Sequence, residues 1–327
     1  MKKSIIIVLS IALAFTFTTC GGDDDDEGGD LQKWTAVEDS TFSYIISAIA
    51  YGNGRFVAGS YSIGDTGKIA YSADGKSWTR VSDSIVSIYS YSIAYRNNRF
   101  VAVGDYKMAY SDDGIKWTAI SDSTFGTTVI RAIAYGGNRF VAGGGGSLGA
   151  SGKMAYSTDG ISWTAVSKST FGSSAINAIA YGNNRFVAVG SDGKIAYSDD
   201  NGESWTAAAD STFGTTDINA IAYGKNRFVA GGSDGKMAYS ANGESWTAVA
   251  DSTFGSGIYD TIRAIAYGNN RFVAGGSWGT MAYSADGATW TAIADSTFET
   301  SSIFAIAYGK NRFVAVGSNG KMAYANW

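Results

Sequence analysis

Residues 178–205 read Ala-Ile-Ala-Tyr-Gly-Asn-Asn-Arg-Phe-Val-Ala-Val-Gly-Ser-Asp-Gly-Lys-Ile-Ala-Tyr-Ser-Asp-Asp-Asn-Gly-Glu-Ser-Trp. Three short runs of Val, Ile, Tyr, Phe and Ala alternate with clusters of Gly, Asn, Asp and Ser, the pattern of strands joined by tight turns. A fourth run opens at Trp205 with Trp-Thr-Ala. Each of these four phrases occurs seven times in the same order. The first begins at Ala48, Ser92, Ala132, Ala178, Ala220, Ala264 and Ala305. The second begins at Arg55, Arg99, Arg139, Arg185, Arg227, Arg271 and Arg312, a period of 40 to 46 residues. The third begins at Lys68, Lys107, Lys153, Lys194, Lys236, Thr280 and Lys321. The fourth begins at Trp34, Trp78, Trp117, Trp163, Trp205, Trp246 and Trp290.

Four strand-like phrases per period of this length make one blade of a β-propeller. The fold class is therefore all-β, a seven-bladed β-propeller of four-stranded blades over residues 31–327. The body shows no useful helical period, and 43 glycines and no proline leave turn-making to glycine and its polar neighbours. The first phrase is apolar or small throughout, as expected of an inner strand covered on both faces. The fourth phrase precedes the first Ala-Ile-Ala-Tyr-Gly and does not follow the last third phrase, Lys321-Met-Ala-Tyr. Pairing Trp34–Val37 with the last blade would close the ring and leave no free edge.

A second signature separates the third and fourth phrases. Ser72-Ala-Asp-Gly-Lys-Ser-Trp78 recurs at Ser111, Ser157, Ser240 and Ser284, with Asn242 in place of the aspartate once, and one residue longer as Ser198-Asp-Asp-Asn-Gly-Glu-Ser-Trp205. A short acidic side chain can accept backbone N–H bonds in a tight hairpin, and glycine takes the positive φ. The motif resembles the Asp-box (BNR-repeat) of propellers that include sialidases and the photosystem II assembly-factor type. The resemblance spans residues 31–327. It implies the propeller fold and places these aspartates on the periphery, away from catalysis.

Sialidases cleave with an arginine triad, a Tyr–Glu pair and an acid aspartate, and carry a Phe/Tyr-Arg-Ile-Pro motif. That motif is absent in a chain without proline. The arginines are mostly the repeated Arg-Phe type, on the same rim of the blade as the Ser-x-Asp turns, and an Arg–Asp contact stitching neighbouring hairpins is expected of them, with an anion-binding ring as the alternative. There is no histidine, the commonest general base and metal ligand. No catalytic residue, metal site or cofactor is assigned, and the chain is read as a non-enzyme.

Residues 1–19 read as a signal peptide, with Lys2 and Lys3 before the apolar stretch Ile5 to Phe17. Cys20, the single cysteine, resembles the lipidated cysteine of bacterial lipoproteins, although Phe17-Thr18-Thr19 departs from their usual preceding residues. Residues 20–30 form an acidic flexible linker. Acidic runs at this place resemble surface-export signals of some Gram-negative lipoproteins; a plain spacer is the other reading. Loss of Lys2 and Lys3 from the 25 basic residues leaves 23 against 29 acids. Six of those acids lie in the linker, so the body carries 23 of each sign and no basic field for nucleic acid.

Alternation of strand direction puts the loops after second and fourth strands on one face, the top. Those after second strands vary: 60–67, 104–106, 143–152, 190–193 and 276–279. The residue entering each first strand varies too, through Ser47, Tyr91, Arg131, Asn177, Asn219, Arg263 and Phe304. Variable residues on a repeated scaffold are where binding sits. Tyr91, Arg131, Asn177, Asn219, Arg263 and the top-loop Trp278 are the candidate ligand contacts. The expected function is a monomeric, non-catalytic binding or scaffold protein, exported and lipid-anchored to the bacterial outer membrane. It would recognise a protein or a glycan and touch the membrane through its anchor alone. The alternatives are a sialidase-like glycan hydrolase and an assembly or chaperone factor.

Overall fold

The computed structural model describes residues 30–61, 68–82, 89–145 and 151–326. The signal peptide, Cys20, the linker as far as residue 29, and parts of the top loops at 60–67 and 143–152 lie outside the described residues. The described chain forms seven four-stranded antiparallel sheets, one per repeat. The first strands are Ile45–Gly52, Ser90–Arg96, Ile130–Gly136, Ile176–Gly182, Ile218–Gly224, Ile262–Gly268 and Ile303–Gly309, numbered here as blades 1 to 7.

Blade 7 takes its fourth strand from the N-terminal side. Thr35–Ala36 pairs antiparallel with Met322–Asn326, Thr35 opposite Tyr324 and Ala36 opposite Ala323. The Val37 N–H continues the ladder to the Met322 carbonyl at 2.8 Å. Trp34 is buried, and its indole N–H donates to the Leu31 carbonyl at 3.0 Å.

The core lies between blades rather than within them. Among the described residues, each buried cluster joins one blade to the next, and the cluster of Phe42, Ile46, Phe56 and Trp78 with Val314, Val316 and Met322 joins blade 1 to blade 7. The second strand is the most deeply covered: Phe186, Val187, Ala188 and Val189 are each 0% exposed. Full cover had been expected of the first strand. Part of that strand instead faces the central channel, which is why its alternate positions are only half-buried.

Glycine ends six of the seven first strands because the next blade's tyrosine lies flat against it. A Cβ on Gly182 would sit 2.0 Å from the Tyr223 Cγ. Blade 2 has Arg96 at this place. Against it Tyr135 stands at 71° to Phe140, steeper than the 47° to 58° of the other six pairs, and its hydroxyl accepts from Asn97 Nδ2 at 2.8 Å.

Candidate functional site: the channel mouth and top rim

The aspartates of the Ser-x-Asp turns build the turns. Asp159 Oδ1 accepts the N–H groups of Ile161 and Ser162 at 2.8 Å each and the Ser157 hydroxyl at 2.9 Å. Burial alone would raise its pKa; those donors and the Ser162 hydroxyl outweigh it and bring it to about 2. Asn242 accepts the matching N–H bonds from Glu244 and Ser245 at 3.0 and 3.1 Å, so the turn needs an acceptor rather than a charge.

The repeated arginines grip these turns. Arg185 pairs with Asp199 of its own blade at 2.6 Å and reaches the Asn242 carbonyl and Glu244 of blade 5, both at 2.5 Å. Arg312 likewise donates to the Asp74 carbonyl across the blade 7–blade 1 joint. Arg185 thus makes an Arg–Asp contact within its own blade, and both guanidinium groups also reach backbone carbonyls of the next blade, which favours stitching over an anion-binding ring.

The seven variable entry residues converge. Ser47, Tyr91, Arg131, Asn177, Asn219, Arg263 and Phe304 all line a cavity of about 180 Å³ at the central channel. Each is also the extra residue of a β-bulge: the register of every first strand slips across it, as between Ile176 and Ala178. A bulge frees a residue from the ladder and re-aims its side chain. The repeat thus offers seven aimed positions on one fixed backbone.

Contacts at the mouth are uneven. Arg131 Nε donates to the Gly145 carbonyl at 3.2 Å, and Asn177 Nδ2 to the Ile218 carbonyl at 3.1 Å. Tyr91 lies 5.2 Å from the Tyr61 ring, and burial, with Asp105 and Tyr61 nearby, pushes its phenol pKa up. Arg263 stacks 5.2 Å from the Phe304 ring centre, with its Nε buried and unpartnered among the described residues. Burial pulls the Arg263 pKa down. Among the described residues, two guanidinium groups and no carboxylate line this cavity. The nearest acids in sequence serve loops: Asp217 accepts the Asp192 N–H at 3.0 Å, and Asp260 accepts the Gly257 N–H at 2.8 Å.

Trp278 is on the rim, not in the channel lining, and is 56% exposed. It occupies the centre of the turn Ser277–Gly279 at φ 57. The top loops vary in length and sequence, yet Ser191–Gly193, Ser233–Gly235 and Ser318–Gly320 share this turn, with Asp192, Asp234 and Asn319 at the same left-handed place. Only the central side chain changes. Short polar residues tolerate this conformation, whereas a bulky one is an outlier there.

Sequence reading missed Ile258 and Tyr259, which are 77% and 70% exposed in the loop entering blade 6. A signal existed. Phe125, Phe171, Phe213 and Phe298 precede their strand isoleucines by five residues, whereas Phe254 precedes Ile262 by eight.

Residues 123–252 match the family model described as the DUF6242 beta propeller domain. No curated protein sequence matches the chain. Among solved structures, YCF48 bound to D1 peptide is similar at 17% identity and a TM-score of 0.66, over 91% of this chain and 97% of that one. YCF48 from Cyanidioschyzon merolae is similar at 18% identity and a TM-score of 0.66, over 90% and 98%. Virginiamycin B lyase from Staphylococcus aureus with quinupristin, made catalytically inactive by a histidine-to-alanine change, is similar at 10% identity and a TM-score of 0.71, over 90% and 99%. At these identities the likeness is one of fold, and the fold is a seven-bladed propeller.

Proposed function

We propose that this chain is a non-catalytic binding or scaffold propeller of the Asp-box kind, exported, monomeric and lipid-anchored through Cys20 to the bacterial outer membrane. Its top face recognises a protein or glycan ligand. The observation that carries this reading is the ring of seven bulged entry residues, varied in chemistry on an otherwise repeated backbone. Arg131 and Arg263, in a cavity whose described lining contains no carboxylate, suit a ligand that presents negative charge or several acceptors.

The assembly or chaperone reading is favoured by one comparison, since a YCF48 propeller of the same architecture is described as bound to a peptide. A lyase on this architecture is inactivated by loss of a histidine, and this chain contains none. The sialidase-like hydrolase has less support for a different reason: no carboxylate is among the described cavity-lining residues, and Asp217 and Asp260 are engaged by backbone N–H groups.

The test screens purified protein against a glycan array and a displayed peptide library, then repeats each hit with Arg131→Ala and Arg263→Ala. The reading expects these variants to weaken binding about tenfold or more. Unchanged affinity would remove the channel mouth as the site. Turnover of an aryl-glycoside panel would remove the non-catalytic assignment.

A further inference from the structure

Five large apolar side chains among the described residues are at least half exposed: Tyr44 (51%), Tyr106 (50%), Ile258 (77%), Tyr259 (70%) and Trp278 (56%). All five lie in top loops, and none on the outer wall or the bottom turns. They are not spread evenly round the ring. Ile258, Tyr259 and Trp278 belong to blade 6, Tyr44 enters blade 1 and Tyr106 belongs to blade 2. The opposite rim carries Asp192 and Asp234 at the turn centres. Among the described residues the exposed apolar side chains therefore belong to blades 6, 1 and 2, with the polar Asn319 at the turn centre of blade 7 between them, and none belongs to blades 3, 4 or 5. Soluble proteins seldom gather exposed apolar side chains on one face without a partner for them.

Blade 6 departs from the repeat at two places, and both departures are built. Trp278 holds a left-handed conformation that three sister blades give to Asp or Asn. The extra residues of the preceding loop are closed on themselves. Gly257 N–H donates to Asp260 Oδ2 at 2.8 Å, and Asp260 N–H returns to the Gly257 carbonyl at 2.8 Å. That small ring presents Ile258 and Tyr259 to solvent. The two features share one strand entry, since Ser277 N–H donates to the Thr261 carbonyl at 2.9 Å and Arg263 follows two residues later.

Building on the binding reading above, we infer that the blade 6 rim docks a protein segment, with its apolar side chains on Trp278, Ile258 and Tyr259 and a carboxylate directed to Arg263. Aromatic rings alone would suit a sugar face as well as a side chain. Ile258 decides between them. It is the most exposed of the five and has no flat surface to stack, so its burial is favourable only against another apolar surface. Charge complementarity selects the acid: among the described residues the buried Arg263 Nε has no partner and no carboxylate lines the cavity. Tryptophan and tyrosine are the side chains that dominate protein-binding hot spots.

The chain supplies its own controls. Trp278→Asp installs the residue that blades 4 and 5 carry in the same turn, and deleting 257–259 restores the five-residue spacing of blades 3, 4, 5 and 7. Neither change should impair folding. A random peptide library displayed on phage is panned against the full mature chain, and enriched peptides are synthesised and titrated. The expected consensus carries apolar side chains together with Asp, Glu or a free C-terminus. Each blade 6 variant, and Arg263→Met, should weaken binding about tenfold or more, while Asp234→Asn in blade 5 leaves it unchanged. Failure to enrich any peptide, or an affinity untouched by both blade 6 variants, overturns the inference. Glycan-array binding that depends on Arg131 and Arg263 but not on Trp278 also overturns it, while leaving the binding function standing.

Discussion

Arg99 of blade 2 donates from Nη1 to the Asp159 carbonyl of blade 3 at 2.7 Å. The two residues are 60 positions apart, and the contact crosses a joint between blades. Asp159 holds its turn from the inside through its carboxylate, and Arg99 holds the same turn from outside through the backbone. The guanidinium also sits 4.8 Å from the Tyr110 ring centre of its own blade. Each joint of this kind couples one hairpin's shape to its neighbour's position.

Arg99 makes two bonds of unequal worth. Asp112, its carboxylate partner at 2.7 Å, is 63% exposed, and pairs in that setting contribute little. The carbonyl bond ties one blade to the next. Arg99→Met, which keeps most of the stem, should cost about 1–3 kcal/mol, and Asp112→Ala no more than about 0.5 kcal/mol. Chemical denaturation of both variants checks the contrast. Equal losses would show that Asp112, by holding the guanidinium in place, matters as much as the carbonyl bond.

The turn aspartates predict an acid-side slope. Asp159 titrates at about 2 in the folded chain against an ordinary 3.8. A depressed carboxylate contributes stability that is complete above its unfolded value and lost as pH falls through the folded one. The window is therefore roughly pH 4 down to 2. Asp74, Asp113, Asp200 and Asp286 are also lowered, each by donors in its own turn acting against burial. Asp159→Asn should lose about 1 kcal/mol at neutral pH and flatten, without abolishing, the slope between pH 4 and 2. Asn242 already makes the neutral version of this turn. Melting curves across that range provide the measurement.

The tyrosine–glycine joint predicts opposite signs for two small changes. Gly182→Ala places a methyl group 2.0 Å from the Tyr223 Cγ, so ring and strand must part, at about 1–3 kcal/mol. Arg96→Gly gives blade 2 the residue of its six sisters. It should leave stability unchanged or raise it, as Tyr135 turns toward the angle of the other six pairs. A lower melting temperature for Arg96→Gly would mean that the Asn97–Tyr135 bond compensates for the tilt.

Closure predicts a change in association state. Without residues 31–37 the strand Met322–Asn326 loses its partner and the buried Trp34 is gone. Loss of a buried tryptophan alone costs about 3–5 kcal/mol, and a bare edge invites pairing with another chain. The truncated protein should melt lower and form dimers or larger species by light scattering. A monomer with unchanged melting would show that the ring does not need this strand.

The blade count, strand order and closing strand were legible in the sequence because each is a local pattern repeated seven times. Strand phrases, turn residues and the unpaired Trp34 phrase need no knowledge of which residues meet. The entry residues were legible as a variable column, and the cavity brings all seven of them together. Their reason for pointing inward was not. A bulge is a register slip between two strands, and register exists once the strands have paired. The arginine–carbonyl joints were half visible: like residues recur, but a backbone acceptor has no sequence signature. The grouping of exposed apolar side chains in blades 6, 1 and 2 was hidden for a related reason. Trp278, Tyr44, Tyr106 and the Ile258–Tyr259 pair lie in separate repeats, and only closure of the ring puts them on one side of one face.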